Sequence, residues 1–166
     1  MNAHRYNELI HRIRDEILDM DRVVARILRS WPKAKKSGED QDVFLDSVAI
    51  NLHSYYSGIE RLFELIAKIV DDNVPGGSTW HHDLLRQMSR DISEARPAVI
   101  SQDSYLILDE FRRFRHLVRN VYTLNLVPER MVSLISALPT LWAQLKKELL
   151  AFSDFLDKLI QHDKEI

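Results

Sequence analysis

Cysteine is absent from the 166-residue chain, which removes disulfides, thiolate chemistry and cysteine-based zinc sites and fits a reducing compartment. Neither sign of charge dominates. A formal net charge of −2 argues against a generally basic nucleic-acid binder, so any attraction to phosphate must be local. No stretch approaches the roughly 20 apolar residues that a membrane span needs. The opening "MNAHRYNELIHRIRDEI" also lacks the uninterrupted apolar run of a signal peptide. The expectation is a cytoplasmic protein with no membrane partner. Catalytic signatures are equally scarce: no HExxH pattern, Gly-rich phosphate loop, Ser/His/Asp set or paired-carboxylate spacing stands out. No metal and no cofactor is expected.

Glycine and proline are few, four and five residues, and cluster between periodic segments. Ile10, Ile13, Ile17, Met20, Val24, Ile27 and Trp31 alternate in steps of three and four, one helical stripe that Pro32 is expected to close. "KAKKSGEDQD" reads as a polar loop. A second stripe, Val48, Leu52, Tyr55, Ile59, Leu62, Ile66 and Ile69, ends before "DDNVPGGST". Ser78 or Thr79 can cap a shorter third helix, "WHHDLLRQMSRDI". A fourth begins near Ser104 and loses its pattern after Leu124. Pro128 suits the first turn of a fifth, whose inward face is Met131, Leu134, Ile135, Leu138, Leu145, Leu149, Phe152, Leu156 and Leu159, with Pro139 expected to kink or split it. Nothing reads as a strand series. The spacing predicts an all-α bundle of four to five helices in a single domain over 1–166. Phe44, Phe63, Phe155 and Ile160 stand beside the main stripes, leaving room for a dimer face.

Four arginines, Arg112, Arg113, Arg115 and Arg119, fall within eight residues of the fourth helix. On a wheel at about 100° per residue, Ile107, Phe111, Phe114, Val118 and Val121 form the buried side. Arg112, Arg115, His116, Arg119 and Tyr122 share the remaining arc, and Asn120 is one turn beyond His116. Guanidinium groups on one arc repel unless an acid or a phosphate answers them. Two readings stand: a solvated face neutralised by Asp109, Glu110 and Glu60, or a phosphate site.

"RHLVRNVY", residues 115–122, resembles the R-x4-H-x-Y motif of the HEPN superfamily, in particular the HepT-like toxins. "HSYYSGIERLFELIA" in the second helix is similar to that family's aromatic-rich helix, with Glu60 at its acidic position. The resemblance runs from about Asp42 onward, and its specific part is eight residues long. It implies an all-α HEPN-like bundle, a homodimer whose paired motifs flank one cleft, and metal-independent endoribonuclease activity. Arg115 would hold the scissile phosphate and an imidazole would move protons. It further implies a toxin–antitoxin pair whose nucleotidyltransferase antitoxin adenylylates Tyr122, the added charge and bulk blocking phosphate entry. This chain departs from the motif at Asn120, where the histidine should stand, and asparagine is no base near neutral pH. His116, next to Arg115, is the available imidazole, and Arg112 and Arg119 are the further RNA-binding residues. The alternative is a non-catalytic HEPN-type module that binds RNA, a nucleotide or a nucleotidyltransferase partner.

His53, Tyr56 and Glu60 share one face of the second helix and could line the same cleft as Arg115, or form a polar seam against the fourth helix. His81, His82 and Asp83 invite a metal reading. Neighbours on a helix point about 100° apart, so a capped helix start with Trp80 packed inward is favoured. "WPKAKK" is a basic loop of ordinary kind.

Overall fold

The first two apolar stripes become helices longer than the spans their periodicity marks, while the third helix ends at Met88, short of the expected Ile92. The computed structural model describes residues 2–120 and 128–165, without the side chains of 117–120. Helix α1 is Ala3–Lys35, with the Asn2 side chain accepting from the Arg5 amide at its start. Pro32 does not close it. Trp31 and Ala34 are buried on either side of the proline, and Gln41 Nε2 donates to the Ala34 carbonyl at 3.0 Å. Burial on this scale offsets the one intrahelical bond that a proline removes.

Helix α2, Gln41–Ile69, begins well before its first stripe residue, Val48. It is the central element, packing against α1, α3 and α4. Helix α3, Trp80–Met88, is short. The segment after it is fixed by a fully buried ion pair, Arg96 Nε to Asp71 Oδ1 at 2.6 Å. Arg96 Nη2 also donates to Asp71 Oδ2 at 2.7 Å, and the guanidinium further donates to the carbonyls of Gln87, Arg90 and Pro97. A buried pair with this many additional bonds avoids the desolvation loss that isolated pairs suffer.

Helix α4 is Gln102–Asn120. A 3-10 turn at Pro128–Arg130 leads into α5, Val132–Lys164. Pro128 therefore opens the turn ahead of the helix. Pro139 leaves α5 one helix, held by buried Leu138, Leu141 and Trp142 around it. In the core, Tyr55 packs its ring against Phe111 and Trp142, with centroids 5.6 and 5.9 Å apart. Trp142 Nε1 also donates to Asp21 at 2.8 Å, tying α5 to α1.

The chain is an all-α bundle, with five α-helices and no strand among the described residues. Among those residues no helix is long and apolar enough to cross a membrane. Two local expectations change. Phe63 and Ile160 are buried in the core and are not spare for a dimer, while Phe44 and Phe155 pack half-buried against it. Ile160 also takes the buried place expected of Leu159, which is half-buried. On α4 the buried apolar residues are Leu108, Phe111 and Phe114 with Ile107 half-buried. The Val118 side chain and Val121 lie outside the described residues.

Candidate functional site

Helix α4 crosses α2 and α3 so that its arginines do not share one face. Arg115 is 8% exposed, which corrects its assignment to the solvent arc. Leu108 and Arg115 are seven residues apart, about 20° short of two full turns, so a side chain there follows Leu108 inward. Its Nη1 donates to Glu60 Oε1 at 2.7 Å and its Nη2 to Glu60 Oε2 at 3.3 Å, a forked geometry that suits a carboxylate. Ser57 Oγ accepts at 3.4 Å. The guanidinium lies 5.1 Å over the ring of Tyr56, a cation–π contact strengthened by burial. Burial, then the charge of Glu60, pushes the Tyr56 hydroxyl up from its ordinary range, so the platform beneath Arg115 is a neutral phenol.

His81 completes this cluster. Its Nδ1 is 2.8 Å from Glu60 Oε2 and 2.9 Å from Arg115 Nη2. One nitrogen cannot donate and accept in the same direction. Against a carboxylate oxygen it donates, and the Arg115 Nη2 proton is then directed at Glu60. Trp80 stacks on the His81 ring with centroids 3.6 Å apart. The stacking explains why the half-buried Trp80 faces the core while its neighbour faces α2.

The outer arginines are answered by one acid. Arg112 Nε and Arg113 Nη2 each lie 2.7 Å from a different oxygen of buried Asp109. Burial alone would raise the Asp109 carboxyl, but the hydrogen bond and charge of Arg112, then those of Arg113, hold it below the usual carboxylate range. Glu60 and Arg115 cancel. Asp109 against Arg112 and Arg113 leaves one guanidinium charge in excess.

That excess sits at a surface cleft of about 390 Å³ between α3 and α4, lined by Ser78, Thr79, His81, His82, Asp109, Arg112, Arg113 and His116. Thr79 is the N-cap residue of α3, as expected, but its hydroxyl donates to Asp83 at 2.8 Å and caps no amide. The N terminus of α3, with its unpaired amides and positive dipole end, therefore adjoins the cleft. His82 Nε2 lies 3.0 Å from the Tyr105 hydroxyl. A larger hollow of about 570 Å³ lies between the start of α4 and α5. Its lining holds no imidazole or guanidinium, and two hollows of about 370 Å³ hold guanidinium groups without an imidazole, so of these four the α3–α4 cleft is the one that combines both.

The structure brings Tyr56, Glu60 and Arg115 together, and sets Arg112 and His116 in the cleft beside them. His53 is half-buried on α2 and is not among the described residues that line the cleft. The side chains of Arg119 and Asn120, and Tyr122 altogether, lie outside the described residues. Sequence reasoning missed His81, set aside as a helix start, and the doubling of arginines on Asp109. Among the described residues no group of three or more histidine and acidic side chains is placed to hold a metal ion.

A family of known proteins, described as HepT-like protein, matches residues 47–156. The match begins within α2 and ends within α5, taking in every residue of the cleft. No curated protein and no solved structure matches the chain.

Proposed function

The chain belongs to the HepT-like family, and from that premise we propose that the α3–α4 cleft binds and cuts RNA as a metal-independent endoribonuclease, the toxin of a toxin–antitoxin pair. The observation that carries this reading is the charge imbalance: two guanidinium groups share one carboxylate in a cleft lined by three histidines. A phosphodiester supplies the missing negative charge. Arg112 and Arg113 face it, Arg119 is proposed as a further RNA-binding residue, and His116 supplies an imidazole on the cleft wall. Arg115 acts from behind the wall by holding Glu60. Asn120 donates a hydrogen bond to phosphate or exchanges one with a sugar hydroxyl, and Tyr122 is the adenylylation site for a nucleotidyltransferase antitoxin. The protein works in the cytoplasm as a homodimer that pairs two clefts.

The test is cleavage of single-stranded RNA in EDTA with identification of the ends. A 2′,3′-cyclic phosphate supports the reading, and a wild type that neither binds nor cuts RNA returns α4 to a neutralised surface helix. Coexpression with the cognate nucleotidyltransferase should add adenylyl mass to the Tyr122 peptide and none to Tyr122→Phe. A monomer at micromolar concentration in sedimentation would remove the paired cleft. A second reading, a module that binds RNA or a nucleotide without cutting, draws on the closure of Arg115 by Glu60. It is the outcome if RNA is bound and left intact.

A further inference from the structure

We propose that His81 is the general base of this cleft and that Glu60 positions it. The inference rests on the ribonuclease reading and adds a residue that lies far from the α4 motif in sequence. A general base needs a fixed tautomer, a nitrogen with an open lone pair and access to substrate. His81 meets all three conditions. Nδ1–H donates to Glu60 Oε2 at 2.8 Å, which in the neutral ring leaves Nε2 with its lone pair, and Nε2 makes no hydrogen bond among the described residues. The side chain is 27% exposed and lines the cleft with Arg112, Arg113 and His116. Trp80 stacks on one face of the ring and limits its rotation. Glu60 itself is buried and locked by Arg115, so the acceptor that orients the imidazole does not wander.

Electrostatics supports the same role. With the imidazole neutral, the Glu60–Arg115–His81 cluster carries no net charge. When the ring takes a proton, the new charge lies beside Glu60 and within the field of Glu64, one turn further along α2, with Arg115 opposing. In the step proposed, the ribose 2′-O–H bond breaks and its proton passes to His81 Nε2. The 2′-oxygen pair forms a bond to phosphorus, and the P–O5′ bond breaks with its electron pair. The 5′-oxygen takes a proton from protonated His116, across the same cleft. The products are a 2′,3′-cyclic phosphate and a 5′-hydroxyl.

The experiment compares wild type, His81→Asn and His81→Ala on a single-stranded RNA oligonucleotide in EDTA. Asparagine can keep a donor near the Nδ1 position for Glu60 but supplies no base. His81→Asn should melt with the wild type and lose about 10²–10⁴-fold in kcat, with KM within about twofold. Added imidazole should restore part of the activity of His81→Ala, which a purely structural role would not allow. Cleavage by His81→Asn within threefold of wild type overturns the assignment and leaves the ribonuclease reading standing. Unfolding of both variants assigns the ring to structure and overturns it as well. A wild type that cuts no RNA removes the reading and the inference together.

Discussion

Arg115→Ala removes one partner of a buried ion pair. Glu60 would keep its carboxylate in a site where it is 5% exposed, with the His81 Nδ1 proton as its remaining close donor. Leaving such a charge uncompensated costs about 3–5 kcal/mol. Unfolding entropy near 2.1 cal/mol/K per residue gives about 0.35 kcal/mol/K for this chain, so Tm should fall by about 9–14 °C. The solvated-face alternative predicts something different, because an exposed arginine pair contributes about 0–1 kcal/mol. Arg113, whose side chain is 70% exposed, is the internal control: Arg113→Ala should move Tm by less than about 3 °C. Removing both charges with Arg115→Met and Glu60→Leu should recover most of the loss, since an apolar pair can replace a buried ionic one at little cost. Thermal unfolding of wild type, Arg115→Met, Glu60→Leu and the double variant at one pH closes a double-mutant cycle on the pair. An Arg115→Ala protein melting within about 2 °C of wild type would refute the buried-pair argument. If the argument holds, lost cleavage in Arg115→Ala is no evidence by itself for a phosphate contact, because the fold is compromised first.

Arg112→Ala and Arg113→Ala should each weaken RNA binding, and each should lower the slope of log K against log salt by about 0.7 if its guanidinium meets a phosphate. Unchanged slopes would take these two residues out of the cleft's binding role. Gly58→Ala should be neutral or stabilising by up to about 1 kcal/mol. A Cβ there meets Glu16 Oε1 at 2.6 Å and Met20 Cε at 2.8 Å, both ends of flexible side chains, so a clear loss of stability by urea titration would mean that α1 holds them rigidly. Asp21 and Asp109 both have carboxyls held below their ordinary range. In each, burial opposes the shift and hydrogen-bonded cations win, Lys146 for Asp21 and Arg112 for Asp109. A depressed carboxyl stabilises the fold above its unfolded value of about 3.9 and loses that contribution as pH falls through the folded value. Stability should therefore decline below about pH 4, and Asp109→Asn should flatten that acid limb.

Helices were legible because burial and periodicity agree. The stripe from Ile10 to Trp31 is buried almost entirely in α1, and no competing signal crosses it. Prolines misled for an energetic reason: Pro32 and Pro139 each remove one hydrogen bond, while the apolar residues around them bury whole side chains. On α4 the error was one of phase. Counting Ile107 rather than Leu108 as the inward residue rotated the buried face and left Arg115 outside. Glu60 offered the correcting signal, because an acid set among Tyr56, Ile59 and Phe63 on a buried face needs a cation. His81 carried no such local signal. Its partners are 21 and 34 residues away, and their meeting depends on how α2, α3 and α4 pack.

The count of arginines is therefore a poor guide to phosphate, and the balance of each with its acid is a better one. Arg115 has an acid of its own, and its charge is cancelled at 2.7 Å. Arg112 and Arg113 divide one carboxylate, and Asp109 cannot satisfy both. At an effective dielectric of about 20, an unanswered charge 4 Å from a phosphate oxygen is attracted by about 4 kcal/mol, several times an exposed surface pair. One surplus guanidinium matches the single charge of one phosphodiester. In the proposed step His81 starts neutral and the charge on protonated His116 leaves with the proton it delivers, so neither imidazole adds a fixed charge. A surface that merely attracted a polyanion would instead spread unpaired cations along the helix. The proposal of a single scissile phosphate in this cleft therefore rests on the distribution of the acids more than on the density of the arginines.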